Sequence, residues 1–159
     1  MAATTFTGPV QSEGGFKTIT KDATTGVVTT NATITGAGTM TFTPAAINAT
    51  ATATAAEVAS GYITSTSAAA TTITLPTGTL LGAALGATRG TVHELHIDNT
   101  AGANTVTIAV AVNGILSAAA AAGAGAAFGL LTVPSGVTGQ ARFTLMFSSA
   151  TAYTFTRTA

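Results

Sequence analysis

The sequence predicts an all-β fold, an antiparallel sandwich or barrel over residues 61–159 carrying an extended N-terminal arm. Three observations lead there. From Gly61 onward apolar residues alternate with Thr, Ser or Ala at a period of two. Turn-forming clusters of Gly, Pro, Asn and Asp recur at about the 8–12-residue spacing of small all-β domains. No stretch holds a sustained helical period, and β-branched residues dominate the apolar runs, where their restricted χ1 favours strand.

Residues 1–45 read as the arm. Gly8-Pro9, Gly14-Gly15 and Gly36-Ala37-Gly38 cut this region into short extended pieces, Phe16 to Thr20 and Val27 to Thr35. Residues 46–60 form an Ala/Thr-rich linker; alanine permits helix and alternating threonine opposes it, leaving one helical turn near Ala55 to Ala59. The β domain then reads strand by strand: Tyr62 to Thr66, Thr71 to Leu75 before Pro76-Thr77-Gly78, and Thr91 to Asp98 closing on Asn99-Thr100-Ala101-Gly102. Val106, Ile108, Val110 and Val112 alternate with Thr and Ala and are expected to face inward, with Asn113-Gly114 as a hairpin-type turn. Phe128 to Val133, the strand of Phe143, Leu145 and Phe147, and the strand of Tyr153 and Phe155 complete the set. The Ala/Gly run 117–127 fits a long loop or a flat strand packed on a copy of itself.

Only ten of the 159 residues are Asp, Glu, Lys or Arg and the formal net charge is zero, whereas soluble domains carry roughly 25% charged residues. Such a surface offers little electrostatic repulsion between copies. The 47% hydrophobic content excludes a disordered chain. A polar, uncharged exterior suits a protein that spends its life against other protein. No basic patch points to nucleic acid, and the most apolar stretch, Ile115 to Leu131, is broken by Gly123, Gly125 and Gly129, so no membrane span is expected. Met1-Ala2-Ala3-Thr4 opens no secretory signal, which leaves synthesis in the cytoplasm as the expectation. With no cysteine, thiolate metal sites and disulfides are excluded.

One cluster of chemically active side chains stands out. His93, Glu94, His96 and Asp98 lie within six residues. On a strand, Glu94, His96 and Asp98 share one face, whereas His93 shares the other with Leu95 and Ile97. Two histidines on opposite faces do not grip one ion, so neither a metal site nor a catalytic role is assigned and the cluster is read as structural. No nucleophile elbow, phosphate loop or HExxH motif occurs, the chain is read as no enzyme, and no cofactor is expected. Arg89, Arg142 and Arg157 are candidates to pair with Glu94, Asp98 or Glu57 across a subunit boundary, the alternative being solvated surface arginines. In the arm, Phe6, Val10, Phe16 and Ile19 are spaced as apolar anchors for a partner's grooves.

The segment Phe6-Thr7-Gly8-Pro9-Val10-Gln11-Ser12-Glu13-Gly14-Gly15-Phe16 followed by a Thr/Ala/Gly-rich all-β remainder resembles the decoration (cement) proteins of tailed-bacteriophage capsids. The blocks Ala70 to Pro76, Ile97 to Thr100 and Asn104 to Ile108 resemble the jelly-roll-like modules of phage virion proteins. The resemblance implies a jelly-roll-like domain on the capsid surface, a homotrimer, and binding to the major capsid protein to stabilise the shell. The rival reading is a head- or tail-fibre module that binds a host receptor or glycan. Exposed aromatics beside Asp or Asn would mark it, and the chain has no Trp and only Tyr62 and Tyr153.

Overall fold

A computed structural model describes residues 16–21, 24–35, 39–116 and 131–158, which fall into two units, Met1–Phe42 and Thr43–Ala159. In the first, β1 (Phe16–Lys21), β2 (Val28–Thr35) and β3 (Thr39–Phe42) form an antiparallel meander in the order β1-β2-β3. The register of β1 on β2 shifts between Thr18 and Ile19.

The second unit contains two sheets, and the chain alternates between them. The strands β4 (Ala45–Ala46), β6 (Tyr62–Thr64) and β8 (Val92–Asp98) enter one sheet. Between them, β5 (Ala51–Thr52), β7 (Thr71–Thr74) and β9 (Val106–Ala109) enter the other. Each strand therefore returns to its sheet only after crossing the opposite one, so β4, β6 and β8 run parallel to one another, as do β5, β7 and β9. The first sheet is completed by β10 (Gly114–Leu116), β12 (Gln140–Ser149) and β13 (Ala152–Arg157), in the order β10-β13-β12-β8-β6-β4. The second gains β11 (Thr132–Val133), antiparallel to β9. A single hydrophobic cluster joins the sheets: Ile63, Leu95, Ile97, Phe143, Leu145, Phe147, Tyr153 and Phe155 from one, Ile73, Val106, Ile108 and Val133 from the other. Within it Phe143 stacks on Phe155 with centroids 4.9 Å apart.

Among the described residues, two α-helices lie in this unit. Helix α1 (Ala55–Ala59) begins with a reciprocal capping box: Thr54 Oγ1 accepts from Glu57 N at 3.2 Å, and Glu57 Oε2 accepts from Thr54 N at 2.7 Å. Helix α2 (Gly78–Leu85) starts at Thr77, whose hydroxyl accepts from Leu80 N, and stops at Gly86 in the left-handed region at φ 59°. Gly78 and Gly82 share one face of α2. A Cβ on Gly82 would overlap the carbonyl of Ala150, and one on Gly78 that of Thr151. The helix is thus seated with its glycines directly against the β12–β13 turn.

The expectation of an all-β antiparallel sandwich, jelly-roll-like in form, is therefore corrected. The sheets mix parallel and antiparallel pairs, and helices take part in the fold. The signals read as a strand boundary at Pro76-Thr77-Gly78 and as a hairpin-type turn at Asn113-Gly114 do other work. Thr77 caps a helix, and Asn113, at φ 63°, turns the chain into β10, which pairs in parallel with β13. Among the described residues β12–β13 is the one sequence-adjacent hairpin of this unit. The stretch 46–60, expected as linker, contains β5 and α1 and buries Ile47, Ala53 and Val58. On the β9 segment Val106 and Ile108 are fully buried and Val110 packs against the core, but Val112 is 71% exposed because the strand ends at Ala109. The run 117–127 and the start of the Phe128 strand lie outside the described residues.

Candidate functional site: the outer face of the six-stranded sheet

Along β12, Ala141, Phe143, Leu145 and Phe147 are buried while Gln140, Arg142, Met146 and Ser148 are exposed. Along β8, Leu95 and Ile97 are buried and Val92 and Glu94 exposed. The pleat thus sends one set of side chains into the core and the other onto an outer face. Register arranges that outer set in rows. Val92 faces Met146, Met146 faces Thr154, and Thr154 faces Ile115, giving an apolar row over four strands in which Val92, Met146 and Ile115 are each more than half exposed. The next row sets Glu94 against Thr144. Beyond it Tyr62, His96 and Arg142 align across three strands, and then Thr64, Asp98 and Gln140.

The last two rows enclose an open cleft of about 380 Å³ lined by Tyr62, His96, Asp98, Gln140 and Arg142. Ile97 and Ala141, whose side chains are buried in the core, also line it, so their backbone contributes the floor. The ring of Tyr62 stacks on that of His96, with centroids 6.4 Å apart and an interplanar angle of 26°. Asp98 is held from both sides. Thr100 donates from its hydroxyl at 2.6 Å and its amide at 2.9 Å to Oδ1, and the Tyr62 hydroxyl donates to Oδ2 at 2.8 Å. Those donors, Thr100 first, hold the Asp98 carboxyl below its ordinary range; the same contact with Asp98 raises the Tyr62 phenol. Arg142 Nη1 lies 4.0 Å from Glu94 Oε1, and His96 Nε2 3.9 Å from Glu94 Oε2.

The grouping of Glu94, His96 and Asp98 on one face is as the strand period indicates. His93 points to the other side, where its Nε2 lies 2.8 Å from Val58 O. A carbonyl only accepts, so the ring carries its proton on Nε2, and burial lowers its affinity for a second one. Among the described residues no three His, Cys, Asp or Glu side chains converge as metal ligands. Glu57 is engaged in its cap, Arg89 is exposed, and Arg157 donates to Thr132 O at 3.0 Å, tying β13 to the second sheet. Of the arm anchors, Phe6 and Val10 lie outside the described residues, Phe16 opens β1, and Ile19 in β1 is 54% exposed. Sequence reasoning named Arg142 as a candidate partner of Glu94 or Asp98 across a subunit boundary, and the structure sets it beside Glu94 within one chain. It missed Tyr62 and Gln140 as partners of the β8 cluster, and missed the Val92–Met146–Ile115 row. Among the described residues no helix is long and apolar enough to cross a membrane. No family model, curated protein or solved structure matches the chain.

Proposed function

We propose that this is a structural virion protein, a capsid decoration protein that binds the outside of a phage shell and stabilises it. The observation that carries the reading is the row of exposed apolar residues Val92, Met146 and Ile115, with Thr154 between the last two, on the outer sheet face of a chain with ten charged residues. Exposed apolar residues aligned across a sheet face suit a surface that meets another protein. Scarcity of charge keeps desolvation small when a broad face is covered. The protein acts mechanically. Copies associate, as trimers, and engage the major capsid protein through the sheet face and through the arm, whose Phe6, Val10, Phe16 and Ile19 add further points of attachment. Several modest contacts on one rigid particle raise the effective concentration of each.

The test is co-sedimentation of the purified protein with undecorated shells of its parent particle. Met146→Lys is expected to weaken binding at least tenfold, because it places an unpaired cation in the contact. Wild-type protein that stays in the supernatant at micromolar concentration, or Met146→Lys protein that binds as well as wild type, would remove the reading.

A further inference from the structure

The cleft of Tyr62, His96, Asp98, Gln140 and Arg142 has a chemistry distinct from that of the apolar row, and we infer that it binds a neutral saccharide, a sugar ring of a glycan. Its charges are mixed. Asp98 sits diagonally from Arg142, and Glu94 on the neighbouring row lies 4.0 Å from Arg142, so no unbalanced positive field selects a phosphate or a polyanion, and among the described residues no three ligating side chains converge on a cation. What it offers instead is alternation of donors and acceptors. The Arg142 guanidinium donates, the Asp98 carboxylate accepts, and the Gln140 amide does both. Vicinal hydroxyls, each at once donor and acceptor, are the groups that match such a set.

Three further observations favour a sugar. Asp98 is fixed before any ligand arrives by the two Thr100 bonds and the Tyr62 hydroxyl, and these use three of the roughly four acceptor positions of a carboxylate, which leaves one for a ligand hydroxyl. The nearly parallel rings of Tyr62 and His96 add flat apolar surface beside the polar groups, as an amphiphilic pyranose requires. The cleft is open and about 380 Å³, near the lower end of the range for small-molecule sites, which is roughly 300–1,000 Å³. The floor is sheet backbone, held by the β6–β8 and β8–β12 ladders, so little ordering accompanies binding.

The experiment titrates isotope-labelled full-length protein with D-glucose, D-galactose and N-acetylglucosamine, and with D-glucuronate as the charged comparison, following backbone amide resonances. A neutral sugar is expected to give saturable shifts at Tyr62, His96, Asp98, Gln140 and Arg142. Gln140→Ala and Arg142→Ala, both at exposed sheet positions, are expected each to weaken that response roughly tenfold. Leu80→Ser, on the exposed side of α2, is expected to leave it unchanged, and amide dispersion reports that each variant is folded. Three results overturn the inference: no saturable shift with any neutral sugar, a neutral-sugar response that either cleft variant leaves intact, or a response to glucuronate alone that Arg142→Ala abolishes, which would make the cleft an anion site. None of these depends on shell binding, so the inference and the proposed function fail separately.

Discussion

At the scale of single residues, two buried polar side chains hold the second unit together more than their number suggests. Asn99 is fully buried at the end of β8, and its Nδ2 faces three carbonyls, Asn104 O at 2.8 Å, Pro134 O at 2.9 Å and Val133 O at 3.2 Å. It thereby ties the end of one sheet to the strand β11 of the other. Asn99→Ala strips the donor from the buried Val133 carbonyl and from two part-buried ones, and is expected to cost about 2 kcal/mol in a denaturant melt. Asn99→Asp tests the mechanism, because it keeps the shape and replaces the amide N–H groups with an acceptor. It should be at least as destabilising at neutral pH, and a melt matching wild type would refute the assignment. Tyr153 is the second. Its hydroxyl donates to Pro76 O at 3.1 Å and burial pushes its pKa up to about 12, from an ordinary 10.0. The unfolded chain ionises first, so this contribution is complete below pH 10 and is lost as pH rises from 10 towards 12. Tyr62 is shifted in the same direction. Tyr153→Phe should therefore flatten the alkaline decline in melting temperature without abolishing it, at a cost of about 1 kcal/mol near neutrality for the missing hydrogen bond. An alkaline decline as steep as that of wild type would contradict the burial of the phenol.

At the scale of elements, α2 shows a local rule yielding to packing. Two glycines in eight residues argue against a helix, since each costs about 1 kcal/mol relative to alanine. They are there because the β12–β13 turn occupies the space where their Cβ atoms would be. Gly82→Ala therefore sets a gain of about 1 kcal/mol in propensity against an overlap with backbone of about 3 kcal/mol. We expect a net loss of about 2 kcal/mol, read as a melting temperature lower by roughly 5–10 °C; a stabilised variant would show that the turn moves aside freely. The same helix marks the limit of what was legible in the sequence. Strands whose faces differ in burial announced themselves: β8, β9, β12 and β13 all fall where period-two alternation places them, and β1 and β2 where β-branched runs lie between glycines. Helix α1 was legible from alanine content. Helix α2 was not, because its glycines read as a turn, although Thr77 and Gly86 frame it as cap residues. Parallel order was also hidden. Nothing local in Tyr62–Thr64 says that its neighbour is β8, some 30 residues on, rather than β7. For the same reason the sequence brought Glu94, His96 and Asp98 together, which share a strand, and offered Arg142 only as one of three arginines that could pair with them, but could not add Tyr62 and Gln140, which join them only through register. The half-buried Tyr62 and its partner Asp98 are likewise brought together across two strands.

At the scale of the whole molecule, the chain divides at Phe42 into two units. Among the described residues, every member of the hydrophobic cluster lies at or beyond Ile47. The first unit is a three-stranded meander in which Ile19 and Val27 are more than half exposed, and a sheet of this size is stable alone only with a well-formed hydrophobic face or a helix packed on it. Its contribution should therefore appear on binding rather than on folding. Deletion of residues 1–42 is expected to leave the melting temperature of the remainder within a few degrees of the full chain, and to preserve the amide shifts of the β8 and β12 residues. The shortened protein should retain self-association, in proportion to the exposed Val92–Met146–Ile115 row, yet bind undecorated shells at least tenfold more weakly once the arm's points of attachment are gone. The two readouts divide the outcomes. Loss of cooperative melting would make residues 1–42 part of the fold, and full-strength co-sedimentation would confine attachment to the sheet face. A truncated chain that sediments as a monomer, below the 15.4 kDa of one full chain, while the full chain sediments as an oligomer, would transfer the self-association to the arm.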